Sequence, residues 1–187
     1  RLEAAGWGQG QHIYSEQTTF TDGRIVVTGG TVRRKKKKRT DFLLRYSRDL
    51  TLAVVEAKSC RKPVGTGLQQ AKDYAEVLGL KFAYATNGHQ ILEFDYLTGL
   101  ERPIDAFPSP GELWGRLVAG SSLDSAAARD FLTPSYHLGG KSPRYYQEIA
   151  INRALLAIAG DVDVLAIDEH DDSGVLPYAG RLAQVPQ

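Results

Sequence analysis

The chain has 187 residues and a formal net charge of +1, and 42% of its residues are apolar and 24% are charged. This composition is typical of one globular domain, or of a domain with a short appendage, and it excludes a disordered chain. No apolar run approaches the roughly 20 residues of a membrane span, no signal segment opens the sequence, and the single cysteine, Cys60, favours a reducing, cytoplasmic setting.

The sequence begins with short elements separated by turns. Residues 1–6 have the pattern of a helix end closed by glycine. Two extended stretches, 13–20 and 24–28, flank a Thr-Asp-Gly turn signal, which predicts a hairpin. Residues 31–40 (TVRRKKKKRT) carry seven cations and are expected to form a solvated loop. Such a basic block can bind nucleic acid although the whole chain is nearly neutral.

Two apolar stretches follow the basic block. Residues 41–46 (DFLLRY) are short and extended, and residues 51–57 (TLAVVEA) are rich in β-branched side chains, which predicts a strand covered on both faces. Glu56 and Lys58 lie two residues apart at the end of this strand, so their side chains point to one face. A charge there needs a partner, because desolvating it costs several kcal/mol.

A helix and two more strands complete the predicted sheet. Apolar residues recur at helical spacing over residues 68–78. Residues 81–86 and 90–95 have strand character and are joined by an Asn-Gly turn. This order predicts an α/β fold with a mixed sheet of four or five strands flanked by helices.

The rest of the sequence is harder to place. Prolines and glycines in residues 103–111 are expected to end the compact part, and a helix is predicted over residues 144–159. We therefore expect a compact domain over residues 1–118, a linker and helix over residues 119–160, and an unassigned acidic tail over residues 161–187.

Three residues can carry chemistry together. Asp41 opens one strand and Glu56 and Lys58 end the next, and a bend or bulge is needed to bring Asp41 near Glu56. Two adjacent carboxylates repel, and a divalent cation relieves this repulsion; hard oxygen ligands favour Mg²⁺ or Mn²⁺. The ion can activate water and stabilise charge on a phosphate, while Lys58 orients the nucleophile or screens that charge. The ordinary alternative is a surface strand end, because Glu-x-Lys occurs by chance in many proteins.

The spacing of these residues is similar to a known catalytic core. The run from Asp41 to the Glu56 and Lys58 pair resembles the PD-(D/E)xK nuclease core. Thr40 stands where that core has proline, a position at which the family is tolerant.

A second motif makes the resemblance more specific. Gln70 and Tyr74 fit the Q-x-x-x-Y element that follows this core in the restriction (R) subunits of type I restriction-modification enzymes. Further phrases similar to that family occur in the expected order and extend over residues 2–155. They read LEAAGW, RTDFLL, LAVVEAKS, GLQQAKDYAE, ATNG and PRYYQEIAINRAL.

The resemblance implies a restriction-endonuclease-like domain over residues 1–118 that hydrolyses double-stranded DNA with Mg²⁺ or Mn²⁺. In that family cleavage follows ATP-driven translocation by a motor domain, in a complex with methylation and specificity subunits. The implied catalytic residues are Asp41, Glu56, Lys58, Gln70 and Tyr74. The implied metal ligands are Asp41, Glu56, the Ala57 carbonyl and, as an extra acid of the first helix, Glu3. The basic block directly precedes Asp41, so its charge places it to contact DNA phosphates; its residues are Arg33, Arg34, Lys35, Lys36, Lys37, Lys38 and Arg39.

Each of these side chains also has a purely structural alternative. Tyr74 can be a core aromatic residue, Gln70 a solvated amide, and Glu3 a surface acid on a helix. The basic block can be a solvated charge run without a partner.

The later part of the sequence resembles the lead-in to the motor of the same subunits. No G-x-x-x-x-G-K-[ST] motif occurs in the chain, so ATP belongs to a motor outside it. Residues 162–170 (VDVLAIDEH) are either similar to a DExH-type motor phrase or an acidic linker. Two alternatives for the whole chain are a non-cleaving DNA-binding or docking domain of the same fold and a stand-alone structure-selective nuclease.

Overall fold

The computed structural model describes residues 1–20, 25–28, 31–34, 37–121 and 145–161. Residues 25–28, 31–34, 145 and 157–161 are described by their backbone alone. The strands are β1 (Ile13–Glu16), β2 (Thr19–Phe20), β3 (Ile25–Thr28), β4 (Thr31–Arg34), β5 (Lys38–Arg39), β6 (Phe42–Arg45), β7 (Thr51–Ala57), β8 (Phe82–Thr86), β9 (Ile91–Asp95) and β10 (Leu100–Ile104). The helices are a 3-10 turn (Glu3–Ala5), α1 (Gly65–Leu78), α2 (Pro110–Gly120) and α3 (Tyr145–Asp161).

A mixed six-stranded sheet, in the order β1-β6-β7-β8-β9-β10, carries the fold. Strands β7 and β8 are parallel and are connected through α1, whereas all other neighbours in this sheet are antiparallel. The predicted α/β class with a mixed sheet and flanking helices is confirmed. The sheet has six strands rather than four or five, because β1 and β10 join its edges. The sequence did not predict β10, because it contains Pro103, which argues against a strand. An edge strand tolerates proline, since no further strand needs the missing N–H.

The predicted hairpin of residues 13–20 and 24–28 is wrong. Gln17 adopts a left-handed backbone conformation (φ 51°), which ends β1 and turns the chain out of the sheet. β1 pairs with β6, β2 pairs with β5, and β3 pairs with β4. The expected loop over residues 31–40 is wrong as well, because β4 and β5 lie within it. Arg33 and Arg34 of the basic block therefore belong to β4, and Lys38 and Arg39 belong to β5.

The two faces of the sheet are covered differently. On one face α2, the 3-10 turn and the fully buried Trp7 pack on a large apolar cluster, and the Trp7 indole donates to the Pro108 carbonyl at 2.9 Å. On the other face α1 packs against β8 through small residues. These are Ala71 and Ala75 of α1 and Ala83 and Ala85 of β8, all fully buried. The small side chains allow the helix to approach the strand closely.

A buried ionic network fastens α2 to the sheet. Glu93 is only 1% exposed, yet it accepts hydrogen bonds from Arg116 at 2.6 Å, Tyr84 at 2.7 Å and Arg102 at 2.8 Å. Arg116 also donates to Asp95 at 2.6 Å. Burial raises the pKa of Glu93, but the hydrogen bonds from Arg116, Tyr84 and Arg102 outweigh it and leave that pKa below its usual value.

Helix α3 lies at the end of the sheet where β6 ends and β7 begins. Glu148 contacts Arg45 and Thr51, and the Asn152 amide donates to the Asp49 carbonyl at 3.1 Å. No helix within the described part of the chain is long and apolar enough to cross a membrane.

Candidate active site

A β-bulge interrupts the hairpin of β6 and β7. Leu44 pairs with Ala53, but the next residue, Arg45, pairs with Thr51, so β7 contains one extra residue here. Leu52 and Ala53 both belong to the apolar cluster on the α2 face, although neighbours in a regular strand point to opposite faces. The bulge therefore changes the alternation of side chains along the rest of β7.

The bulge determines which residues meet at the open end of the hairpin. Phe42 pairs with Val55, and the next step of the same register brings Asp41 opposite Glu56. Without the extra residue Asp41 would lie opposite Val55, whose side chain packs into the cluster on the α2 face. The sequence indicated that a bend or bulge was needed, and the bulge supplies it.

The two acidic residues and the lysine converge through short contacts. The Ala57 amide donates to Asp41 Oδ2 at 2.7 Å, and the Asp41 amide donates to Glu56 Oε1 at 3.3 Å. Lys58 Nζ lies 3.3 Å from Glu56 Oε2. The three side chains thus form one cluster on the α1 face of the sheet, at the end of β7.

Glu56 is held in an unfavourable environment for a negative charge. The residue is 1% exposed. Burial, followed by repulsion from Asp41, raises the pKa of Glu56 to about 7, although Lys58 and the Asp41 amide partly oppose this change. A buried carboxylate next to a second carboxylate is a costly arrangement that an added cation would relieve.

Helix α1 holds the lysine from the other side. Lys58 Nζ donates to Gln70 Oε1 at 2.7 Å, and Gln70 Nε2 donates to the Tyr74 hydroxyl at 2.8 Å. The Tyr74 ring packs edge-on against Phe20, with 5.1 Å between the ring centroids. Gln70 and Tyr74 lie one helical turn apart, so a single face of α1 reaches the cluster. The alternative of a solvated Gln70 amide does not fit these contacts.

Two further residues at the site were not found from the sequence. A Cβ at Gly67 would lie 3.0 Å from Lys58 Cγ and 3.2 Å from Ala85 Cβ, so glycine leaves room for the lysine. The Thr86 carbonyl accepts from the Lys58 amide at 2.7 Å and fixes the backbone after β7. We expected α1 to start at Leu68, but it starts at Gly65, because glycine lowers helix propensity and hid the first turn. No sequence pattern marks either contact.

The structure does not bring Glu3 to this cluster. The Tyr14 hydroxyl donates to Glu3 at 3.2 Å, and Tyr14 packs on the α2 face of the sheet. In the described ranges no group of three or more His, Cys, Asp or Glu side chains is placed to hold a metal ion. Asp41 and Glu56 are thus the two acids that the fold brings together, with Ala57 beside them.

Lys38 is a residue of the basic block whose described side chain reaches the site. Lys38 Nζ lies 5.4 Å from the centroid of the Tyr74 ring, a cation–π distance. Lys37 and Arg39 flank it in the described chain. Arg33 and Arg34 lie in β4, of which only the backbone is described, and Lys35 and Lys36 lie outside the described residues.

Comparisons with known proteins agree with the resemblance seen in the sequence. The chain is 36% identical, over 162 aligned residues, to the type I restriction enzyme EcoAI endonuclease subunit of Escherichia coli, and the alignment covers 83% of this chain. It is 51% identical to the solved fragment of a protein assigned as an HsdR subunit of a type I restriction enzyme from Vibrio vulnificus YJ016, with a TM-score of 0.72 over 84% of this chain. No family model matches the chain.

The matches cover only part of each relative. The chain spans 20% of the length of the Escherichia coli subunit and 30% of the length of the solved Vibrio vulnificus chain. The likeness therefore concerns one region of a much longer kind of subunit, and that region contains the cluster described above.

Proposed function

We propose that this chain, which is related to the endonuclease (R) subunits of type I restriction enzymes, is the nuclease region of such a subunit and hydrolyses DNA phosphodiester bonds. The observation that carries the proposal is the convergence of Asp41, Glu56 and Lys58, with Lys58 Nζ 3.3 Å from Glu56 Oε2 and 2.7 Å from Gln70 Oε1. A fold that only binds DNA has no need for two adjacent carboxylates such as Asp41 and Glu56, because carboxylates repel phosphate.

The donor set fits a hard divalent cation, Mg²⁺ or Mn²⁺. Asp41 and Glu56 offer oxygen ligands, and the Ala57 carbonyl is a candidate third. Burial and then the charge of Asp41 raise the pKa of Glu56, a cost that a bound cation would offset. When bound, such an ion polarises a phosphate oxygen and lowers the pKa of water.

The remaining side chains of the site have distinct tasks. The ammonium of Lys58 donates hydrogen bonds to the attacked phosphate and neutralises the charge that develops there. Gln70 holds Lys58 in place by accepting a hydrogen bond from one of its three ammonium N–H groups, and Tyr74 in turn accepts a hydrogen bond from the Gln70 amide. Gln70 and Tyr74 therefore act as positioning residues for the lysine.

The basic block provides a path for the DNA backbone. Lys38 lies above Tyr74 at 5.4 Å from its ring centroid, so the C-terminal end of the block adjoins the residues that hold Lys58. Contacts from Lys37, Lys38 and Arg39 to phosphates add affinity without reading sequence. Recognition of a target sequence belongs, in this proposal, to a separate specificity subunit, and methylation subunits complete the assembly.

The remaining parts of the family likeness stay predictions. Translocation requires ATP and a motor domain outside this chain, which contains no phosphate-binding loop motif. The division into residues 1–118, 119–160 and 161–187 also stays a prediction, as does a cytoplasmic location.

Cleavage of a plasmid by the complete assembly, with Mg²⁺ or Mn²⁺ and ATP, tests the proposal. We expect Lys58→Ala and Asp41→Ala to lose cleavage while ATP hydrolysis is retained. Lys72→Ala is the matched control, because Lys72 lies on α1 and pairs with Glu101 at 3.6 Å. Cleavage by Lys58→Ala at the rate of the Lys72→Ala control would refute the proposed mechanism and favour a docking domain of the same fold.

A further inference from the structure

The side chain of Glu148, on α3, contacts both residues of the pair at which the register of the hairpin of β6 and β7 shifts. Its carboxylate accepts two hydrogen bonds from the Arg45 guanidinium and one from the Thr51 hydroxyl, the latter at 2.9 Å. Arg45 and Thr51 are the pair at which the register of β6 and β7 shifts. Both charged side chains are largely buried, with 13% exposure for Arg45 and 15% for Glu148.

Further bonds fix Arg45 from its own side of the sheet. Its Nε donates to the Ser15 hydroxyl at 3.2 Å and its Nη1 donates to the Arg48 carbonyl at 3.1 Å. The turn between the two strands is also tied to α3, because the Asn152 amide donates to the Asp49 carbonyl. Glu148 and Asn152, one turn apart on α3, thus hold the end of the hairpin at which β6 turns into β7.

The register at this end decides the geometry at the other end. With the extra residue of β7, Asp41 and Glu56 lie on one face of the sheet; a slip of one residue would set Asp41 opposite Val55 and separate the carboxylates. The two ends of β7 are roughly 20 Å apart at about 3.3 Å per residue, so the contacts of Glu148 can influence the carboxylates only through the register of the strands. Helix α3 also reaches the C-terminal end of α1 through Ile149, which packs against the cluster that contains Leu78.

We propose that Glu148 is a positioning residue that holds the register of the hairpin and thereby couples α3 to the Asp41 and Glu56 pair. The inference rests on the proposed nuclease function only in that this pair is the catalytic one; the mechanical coupling itself does not depend on cleavage. A displacement of α3 breaks the contacts of Glu148 with Arg45 and Thr51 and weakens the hydrogen bond from the Ala57 amide to Asp41. The catalytic site then responds to whatever moves α3.

The test compares Glu148→Ala and Glu148→Gln with Glu101→Gln in the full chain. Glu101 is the control, since it also forms an ion pair, with Lys72, but lies on β10, three strands away from β7. Hydrogen exchange is followed at the Ala57 amide and at the Tyr84 amide of the central strand β8, which reports global opening. Binding of Mn²⁺ is measured by electron paramagnetic resonance on the same samples.

For Glu148→Ala we expect the Ala57 amide to exchange about tenfold faster relative to the Tyr84 amide, and Mn²⁺ to bind about tenfold more weakly. Glu148→Gln keeps an acceptor oxygen for Arg45 and Thr51 but loses the charge, and it is expected to show a smaller change of about threefold on both scales. Should Glu148→Ala fail to fold, Glu148→Gln decides the question by the same two ratios.

The outcomes separate this inference from the proposed function. Unchanged Ala57 exchange and Mn²⁺ binding in both Glu148 variants, equal to the Glu101→Gln control, would overturn the positioning role even if the wild type cleaves DNA. Faster Ala57 exchange in an assembly that does not cleave DNA would support the positioning role and contradict the proposed function.

Discussion

Replacing Glu56 with glutamine is expected to stabilise the protein while abolishing cleavage. Glutamine has the shape of glutamate but no charge. It therefore removes both the burial cost and the repulsion from Asp41 that raise the pKa of Glu56 to about 7. Glu56 binds its proton more tightly in the folded chain than in the unfolded one, so the free energy of unfolding falls as the pH rises from about 4.5 to about 7.

The magnitude follows from that pKa. The difference between 4.5 and about 7, at about 1.4 kcal/mol per pH unit, corresponds to about 3 kcal/mol of lost stability once Glu56 is ionised. The glutamine amide has one acceptor oxygen for two donors, the Asp41 amide and Lys58 Nζ, so part of this gain is lost. We expect Glu56→Gln to be about 1–2 kcal/mol more stable than the wild type at pH 8 without metal. At pH 5 this advantage is lost, because protonation of Glu56 restores about 2 kcal/mol to the wild type.

Urea unfolding at a series of pH values, in the presence of EDTA, measures this effect. Glu93→Gln is the matched control, because Glu93 is equally buried but its pKa is lowered by its hydrogen-bond donors. That variant is expected to lose about 2 kcal/mol at pH 8, since it weakens the pairing of Arg116. Lower stability of Glu56→Gln at pH 8, or an unchanged slope between pH 5 and 7.5, would show that the charge of Glu56 is not strained by its surroundings.

Three more predictions concern the lysine, the basic block and the metal. Gly67→Ala is expected to reduce cleavage about tenfold, because its Cβ would press on Lys58 Cγ from 3.0 Å. The control Gly65→Ala has open space around its Cβ, so it is expected to stabilise α1 by about 0.5–1 kcal/mol and to keep activity. Equal cleavage rates of the two variants in plasmid assays would contradict the role of Gly67. Lys38→Ala is expected to weaken DNA binding and to reduce the slope of log affinity against log salt by about 1, as measured by fluorescence anisotropy; an unchanged slope would exclude a phosphate contact. The affinity for Mn²⁺ should fall about tenfold per pH unit below about 7, because the ion competes with a proton at Glu56. An affinity that stays constant from about pH 5 to 8, measured by electron paramagnetic resonance, would disprove the competition.

Local patterns predicted the centre of the fold well. The β-branched run of β7, the periodic apolar face of α1 and the Asn-Gly turn between β8 and β9 each depend on neighbours in sequence, and all appear in the structure. Gly79 ends α1 in a left-handed conformation (φ 71°), a geometry that glycine adopts without steric cost.

Long-range pairing could not be predicted in the same way. β1 pairs with β6 across the basic block, and nothing in residues 13–16 distinguishes this partner from the adjacent stretch. The sequence indicated Asp41, Glu56 and Lys58 because acids and a lysine lie at the ends of two neighbouring strands, but it did not show how the strands align. The bulge that aligns Asp41 with Glu56 depends on how Leu44, Leu52 and Ala53 pack in the core, and no local motif encodes it.

The four alanines between α1 and β8 also determine how close α1 lies to Lys58. They bring the helix near enough for the Gln70 amide to reach Lys58 at 2.7 Å. A bulkier residue at Ala85 would push α1 outward and carry that amide out of reach, even in a molecule that remains well folded. Under the proposed function, such a substitution would therefore lower cleavage by more than its effect on stability accounts for.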